Sequence, residues 1–80
     1  MAVRHHIKVL VVDDDPSISE TVGTLLEDAG YLPLKFNNPI KALEAAENEA
    51  CQIAVVDLRM PEMDGVELVG RLKTIDDRIC

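Results

Sequence analysis

The stretch that decides the fold is IAVVDLRMPEMDG, Ile53 to Gly65. Four apolar residues, Ile53 to Val56, run directly into Asp57. Such a run wants burial, and a carboxylate at its end is costly to bury without a partner. The residues after Asp57 do not open a helix until Asp64; a loop containing Pro61 comes between. The stretch therefore reads as a buried strand, Gln52 to Val56, that holds an acid rigidly at its tip.

Working outward, the same pattern recurs. Ile7 to Val12, IKVLVV, is a short β-branched run bounded by acids and reads as a first buried strand. DDDPSISETVGTLLEDAG follows it, with Pro16 suited to the first helical position behind Asp15 as N-cap; Ser17 and Glu20 offer a rival capping box. Ile18, Val22, Leu25, Leu26 and Ala29 recur at helical spacing as one apolar stripe, and Gly30 stops the helix. Tyr31 to Phe36 is a second strand, and Pro33 confines it to a sheet edge because proline cannot donate to a ladder. Asn38-Pro39 opens a second helix with Ile40, Leu43 and Ala46 inward and Glu44, Glu47 and Glu49 outward. Asp64 caps a third, with Glu67 completing the box and Val66, Val69, Leu72 and Ile75 as its inner face. At Ile79-Cys80 a further strand is expected to begin.

The order is βαβαβα. Strands that read as solid apolar runs and alternate with helices imply an α/β fold with a parallel sheet covered on both faces. Right-handed crossovers and the edge position of strand two give the strand order 2-1-3. The topological switch point then lies between strands one and three, where open α/β sheets bind ligands beyond the carboxyl ends.

Composition bounds the function. The 80 residues are 48% hydrophobic and 29% charged, so the chain is no disordered segment and forms one domain at most. A net charge of −7 argues against nucleic acid and anionic lipid as partners. No apolar run approaches the roughly 20 residues of a membrane span. MAVRHHIKVLVV passes too quickly into charged residues for a signal peptide, so the chain reads as cytoplasmic. Cys51 and Cys80 lack zinc-binding spacing; Cys51 beside a strand reads as a packing residue, and His5-His6 as a solvated lead-in.

Strand one ends at Asp13-Asp14 and strand three at Asp57, so three carboxylates converge at the switch point. Like charges so close repel, and desolvation adds to the cost. A hard divalent cation relieves both, and Mg²⁺ binds through carboxylates, waters and phosphate oxygens. Asp15 and Asp64 read as helix caps only.

KVLVVDDDPSI, VVDLRMPEMDG and the βα rhythm resemble the receiver domain of two-component response regulators over essentially the whole chain. The resemblance implies a flavodoxin-like doubly wound sheet. It implies that Asp57 accepts a phosphoryl group from a histidine kinase or phosphotransfer protein. Asp14 would hold Mg²⁺ directly and Asp13 through water, with Asp57 and the backbone carbonyl of Arg59 as further ligands. Met60-Pro61 would aim that carbonyl inward, and Gly65 would permit a tight turn into the third helix. On this reading the chain is a signalling module and not an enzyme. Residues 1–80 then form an incomplete receiver with three of five βα units. The family's switch Ser/Thr and its phosphate-contacting Lys have no counterpart, and Lys73 reads as part of a solvated helix face.

An incomplete sheet leaves strand three as an apolar edge and part of the first helix uncovered. A homodimer through strand three, or by exchange of elements, is the expected remedy, the alternative being a partly molten fragment. Two rival functions are set below the receiver reading. A half-receiver could act as a self-pairing or kinase-binding module without phosphotransfer. VVDDDPS also imitates the D-x-D motif of haloacid-dehalogenase-like phosphatases, with Asp13 as nucleophile and Asp15 as acid/base, but this leaves Asp57 without a role. A dinucleotide site is excluded by the lack of a glycine-rich turn after strand one.

Overall fold

In the computed structural model, which describes residues 7–79, the elements follow in the expected order. They are β1 (Lys8–Val12), α1 (Pro16–Asp28), β2 (Leu32–Phe36), α2 (Pro39–Asn48), β3 (Ile53–Val56) and α3 (Gly65–Ile75). The three strands are parallel in the order β2-β1-β3, so β2 with its Pro33 is an edge as expected. Each strand starts one residue later than the sequence suggests. The strand expected at Ile79-Cys80 is not seen at Ile79, which is buried in irregular chain; Cys80, like His5-His6, lies outside the described residues.

Central β1 is buried from Val9 to Val12. Its side chains alternate between faces. Leu10 and Val12 enter a core with Ala42 and Ala46 of α2, Leu68 and Leu72 of α3, and Met60 and Met63 of the connecting loop. Cys51 belongs to this core, and burial pushes its thiol pKa up, in keeping with a packing role. No helix among the described residues is long and apolar enough to cross a membrane.

All three helix starts are as read. Asp15 Oδ1 accepts the Ser17 N–H at 2.9 Å, Asn38 Oδ1 the Ile40 N–H at 2.8 Å, and Asp64 Oδ1 the Glu67 N–H at 2.8 Å. Glu67 does not reach back to its cap; it pairs with Arg71 at 2.9 Å.

The helix rotations differ from expectation. α1 buries Ser19 and Gly23, half-buries Val22 and Leu26, and leaves Ile18, Leu25 and Ala29 exposed. Its small residues let it lie close over β2: a Cβ on Gly23 would sit 2.6 Å from Lys35 Cδ. α2 buries Pro39, Ala42 and Ala46 and exposes Ile40. α3 turns inward Gly65, Leu68 and Leu72, while Val66, Val69 and Ile75 are exposed. The cause in α3 is Gly65, pressed against the end of β3, which fixes the angle at which the helix starts. Lys73 is likewise not simply solvated: its Nζ donates to the carbonyls of Asp77 and Ile79 and closes the turn after α3.

Candidate functional site

Backbone pairing brings the acids together. The Asp57 N–H donates to Val12 O at 2.9 Å, extending the β1–β3 ladder past the end of β3. The Asp13 N–H donates to Phe36 O at 3.1 Å and does the same on the β2 side. Asp57 and Asp13 thus stand at the carboxyl edge of the sheet on adjacent strands. One carboxylate oxygen of each is engaged locally: Asp13 Oδ1 accepts the Asp15 N–H at 2.9 Å, and Asp57 Oδ1 accepts the Arg59 N–H at 3.2 Å.

Asp13, Asp14 and Asp57 each offer an oxygen such that all three lie within 4.8 Å of one another. Asp13 and Asp57 are half-buried and Asp14 is exposed. The Asp14 pKa is raised above its ordinary 3.8 by local desolvation, then by the charges of Asp57 and Asp13 and a shared hydrogen bond with Asp57. Among the described residues every charge acting on it is negative, and the four ion pairs there, Lys8–Glu49, Lys35–Glu20, Arg71–Glu67 and Arg78–Asp76, leave the cluster out.

The donor set fits Mg²⁺. It is all oxygen, and an octahedral ion at about 2.1 Å from its ligands places opposite oxygens about 4.2 Å apart, which three oxygens within 4.8 Å of one another accommodate. Asp15 uses its carboxylate to cap α1 and stands outside the cluster. This counts against the acid/base role that a dehalogenase-like reading gives Asp15.

The loop carrying Arg59 hangs from the core by two side chains, Met60 at 8% exposure and Met63 at 9%. Gly65 closes it, its N–H donating to Leu58 O at 3.1 Å. Arg59 itself is exposed. Sequence reasoning missed Met63 as an anchor; Met at both loop positions, flanking Pro61 and Glu62, was the available signal. It also missed Asn37 and Ser19, whose side chains meet behind Asp13 at 2.9 Å.

A metal-free protein with this cluster is expected to gain from losing one charge. Because the folded pKa of Asp14 is raised, its ionisation opposes folding, and stability falls as pH rises through that pKa. Asp14→Asn should therefore raise the thermal midpoint at pH 7 in chelator-treated buffer. The gain should fade as the pH falls through the raised folded pKa toward 3.8 and be absent below it. Added Mg²⁺ should stabilise the wild type and not the variant.

The family model of the response regulator receiver domain matches residues 9–79. The sporulation initiation phosphotransferase F of Bacillus subtilis is 32% identical over 72 residues, covering 90% of this chain and 58% of that protein. The response regulator TrrA of Thermotoga maritima in complex with Mg²⁺-BeF superposes with a TM-score of 0.86 at 27% identity, over 91% of this chain and 64% of that one. TrrA in complex with the histidine kinase ThkA gives 0.84 at 27% identity, over 91% and 63%. The chain thus spans about three fifths of these relatives. The matched residues hold the acid pair after β1, the acid after β3 and the loop to α3, and the chain belongs to the response regulator receiver domain family of two-component systems.

Proposed function

We propose that the chain is a phosphoacceptor module of a two-component phosphorelay in the cytoplasm. An Asp57 carboxylate oxygen attacks the phosphorus of a phosphohistidine on a histidine kinase or phosphotransfer protein. The P–N bond breaks, its electron pair stays on the imidazole, and Asp57 becomes an acyl phosphate. The chain is the acceptor in this step and not an enzyme in its own right. Asp14 directly, Asp13 through water, Asp57 and the Arg59 carbonyl are the groups that would hold Mg²⁺. Bound there, Mg²⁺ neutralises charge at the phosphoryl oxygens, and such transfers depend on positioning and neutralisation above all. The observation that carries this reading is the meeting of Asp13, Asp14 and Asp57 within 4.8 Å at the carboxyl edge of the sheet. The TrrA complexes with Mg²⁺-BeF and with a histidine kinase support the choice of metal and of partner.

Intact-protein mass after incubation with Mg²⁺ and a small phosphodonor tests it. One phosphoryl increment is expected in the wild type and none in Asp57→Asn. An increment that survives Asp57→Asn and disappears in Asp13→Asn would support the phosphatase-like chemistry instead. No increment despite Mg²⁺ binding would leave a binding module without phosphotransfer.

We also infer that the 80-residue chain pairs with itself through β3. The outer edge of β3 has no hydrogen-bonded strand beside it among the described residues, and Val55, Leu58 and Val69 are exposed around it. Light scattering on the isolated chain should give a dimer mass at tens of micromolar; a monomer mass there rejects the pairing.

A further inference from the structure

We propose that Asn37 is a positioning residue for the acidic loop, its side-chain amide gripping both ends of the segment that carries Asp14 and thereby setting the Mg²⁺ affinity. This rests on the reading of the three carboxylates as metal ligands. β1 and β2 pair up to Val12 opposite Phe36, and the Asp13 N–H adds one more bond to Phe36 O. The next rung of a parallel ladder would bring the N–H of residue 38 to the Asp13 carbonyl. Asn38 instead caps α2, and Pro39 takes the chain away from the sheet. The side chain of Asn37 fills the missing rung: its Nδ2 donates to Asp13 O at 2.8 Å.

The same nitrogen donates to Ser19 Oγ at 2.9 Å. Ser19, at 2% exposure, donates its own proton onward to Pro16 O at 3.1 Å. A carbonyl only accepts, and the Ser19 proton is already committed, so both contacts require a donor. Only an amide NH₂ facing this way meets both. Asp13 and Ser19 bracket the segment that contains Asp14, Asp15 and Pro16, and one nitrogen holds its two ends.

The tie matters because Asp14 is exposed and, among the described residues, faces only like charge. Repulsion from Asp13 and Asp57 opposes the inward placement of Asp14, and none of the four ion pairs among the described residues offsets it. With the strap in place, Asp13 is fixed through its N–H, its carbonyl and Oδ1, leaving Oδ2 for the cluster. Without the strap the metal must gather its ligands from a relaxed loop, which lowers affinity though the ligands themselves are intact.

The test is a calorimetric titration with MgCl₂ of the wild type, Asn37→Ala and Ser19→Ala, with thermal unfolding of each metal-free protein. Asn37→Ala should bind roughly tenfold more weakly and Ser19→Ala about threefold, as expected for groups that orient ligands. A merely structural contact would lower the unfolding midpoint and leave the affinity of the folded chain unchanged; affinity within about twofold of wild type in Asn37→Ala overturns the proposal. Should Asn37→Ala not fold, Ser19→Ala decides by the same comparison. Absence of Mg²⁺ binding in the wild type would reject the metal reading. The strap is then judged by backbone ¹⁵N order parameters of Asp14 and Asp15 without metal. These should fall in Asn37→Ala, and unchanged values overturn the strap as well.

Discussion

Gly65→Ala should destabilise the metal-free chain by about 2–3 kcal/mol, near the upper end of what overpacking costs. A Cβ at this position would lie 2.4 Å from Asp57 O, 2.8 Å from Leu58 Cα and 3.0 Å from the Asp57 carbonyl carbon. These are backbone atoms and cannot swing aside as the end of a flexible side chain does. The objection is one of space and not of backbone conformation, because Gly30 is the glycine with positive φ among the described residues. To admit the methyl, the first turn of α3 must lift from the end of β3. That strains the Asp64 cap on the Glu67 N–H and the bond from the Gly65 N–H to Leu58 O. The residue struck is Asp57 itself, so the rise in thermal midpoint expected with Mg²⁺ under the proposed function should also shrink. Gly70 is the internal control. It lies on the same helix, a Cβ there meets nothing within 4 Å, and Gly70→Ala should stabilise by about 1 kcal/mol through helix propensity. Urea unfolding of the two variants should give opposite signs; a shared sign would mean that the approach of α3 to β3 is looser than the structure has it.

What could be read in the sequence was whatever local chemistry decides. Asp15-Pro16, Asn38-Pro39 and Asp64 start helices because a capping oxygen needs only its own next two or three residues. Pro33 marks an edge because it lacks a donor, and the edge fixes where the other strands go. The acid cluster was legible for the same reason: once the strand order is 2-1-3, the ends of β1 and β3 are neighbours, and Asp13, Asp14 and Asp57 must meet. Helix rotation was not legible. α3 offers two inward faces by spacing alone, one through Val66 and Val69 and one through Leu68 and Leu72, with Leu72 common to both. The choice is made by Gly65 against Asp57, a contact between residues eight apart that no periodicity encodes. α1 turns on the same kind of fact, since Gly23 admits the stem of Lys35 and leaves Ile18 and Leu25 outward. Asn37 was invisible because its part depends on a ladder that ends one residue short.

The rotation of α3 makes the second large prediction. Leu68 is 0% exposed and packs in one cluster with Leu10, Leu72, Met60 and Met63, whereas Val66 is 73% exposed. Leu68→Ala should cost about 3–4 kcal/mol, the transfer term plus the cavity left behind. For a chain of 80 residues the whole stability is about 4–12 kcal/mol. The variant should therefore melt roughly 15–25 °C lower and be partly unfolded at 37 °C if the starting stability is at the low end. Val66→Ala, two residues away in sequence but on the outer face, should change stability by less than about 0.5 kcal/mol. The opposite ranking, with Val66 costly and Leu68 tolerant, would restore the inner face expected from spacing. Leu68 also shares its cluster with both methionines that anchor the loop after Asp57, so the cavity opens beneath that anchor. At a temperature where Leu68→Ala is still folded, its Mg²⁺ affinity should fall while that of Val66→Ala stays at the wild-type value. Unchanged affinity in both would mean that the Asp57 loop keeps its position without the packing beneath it.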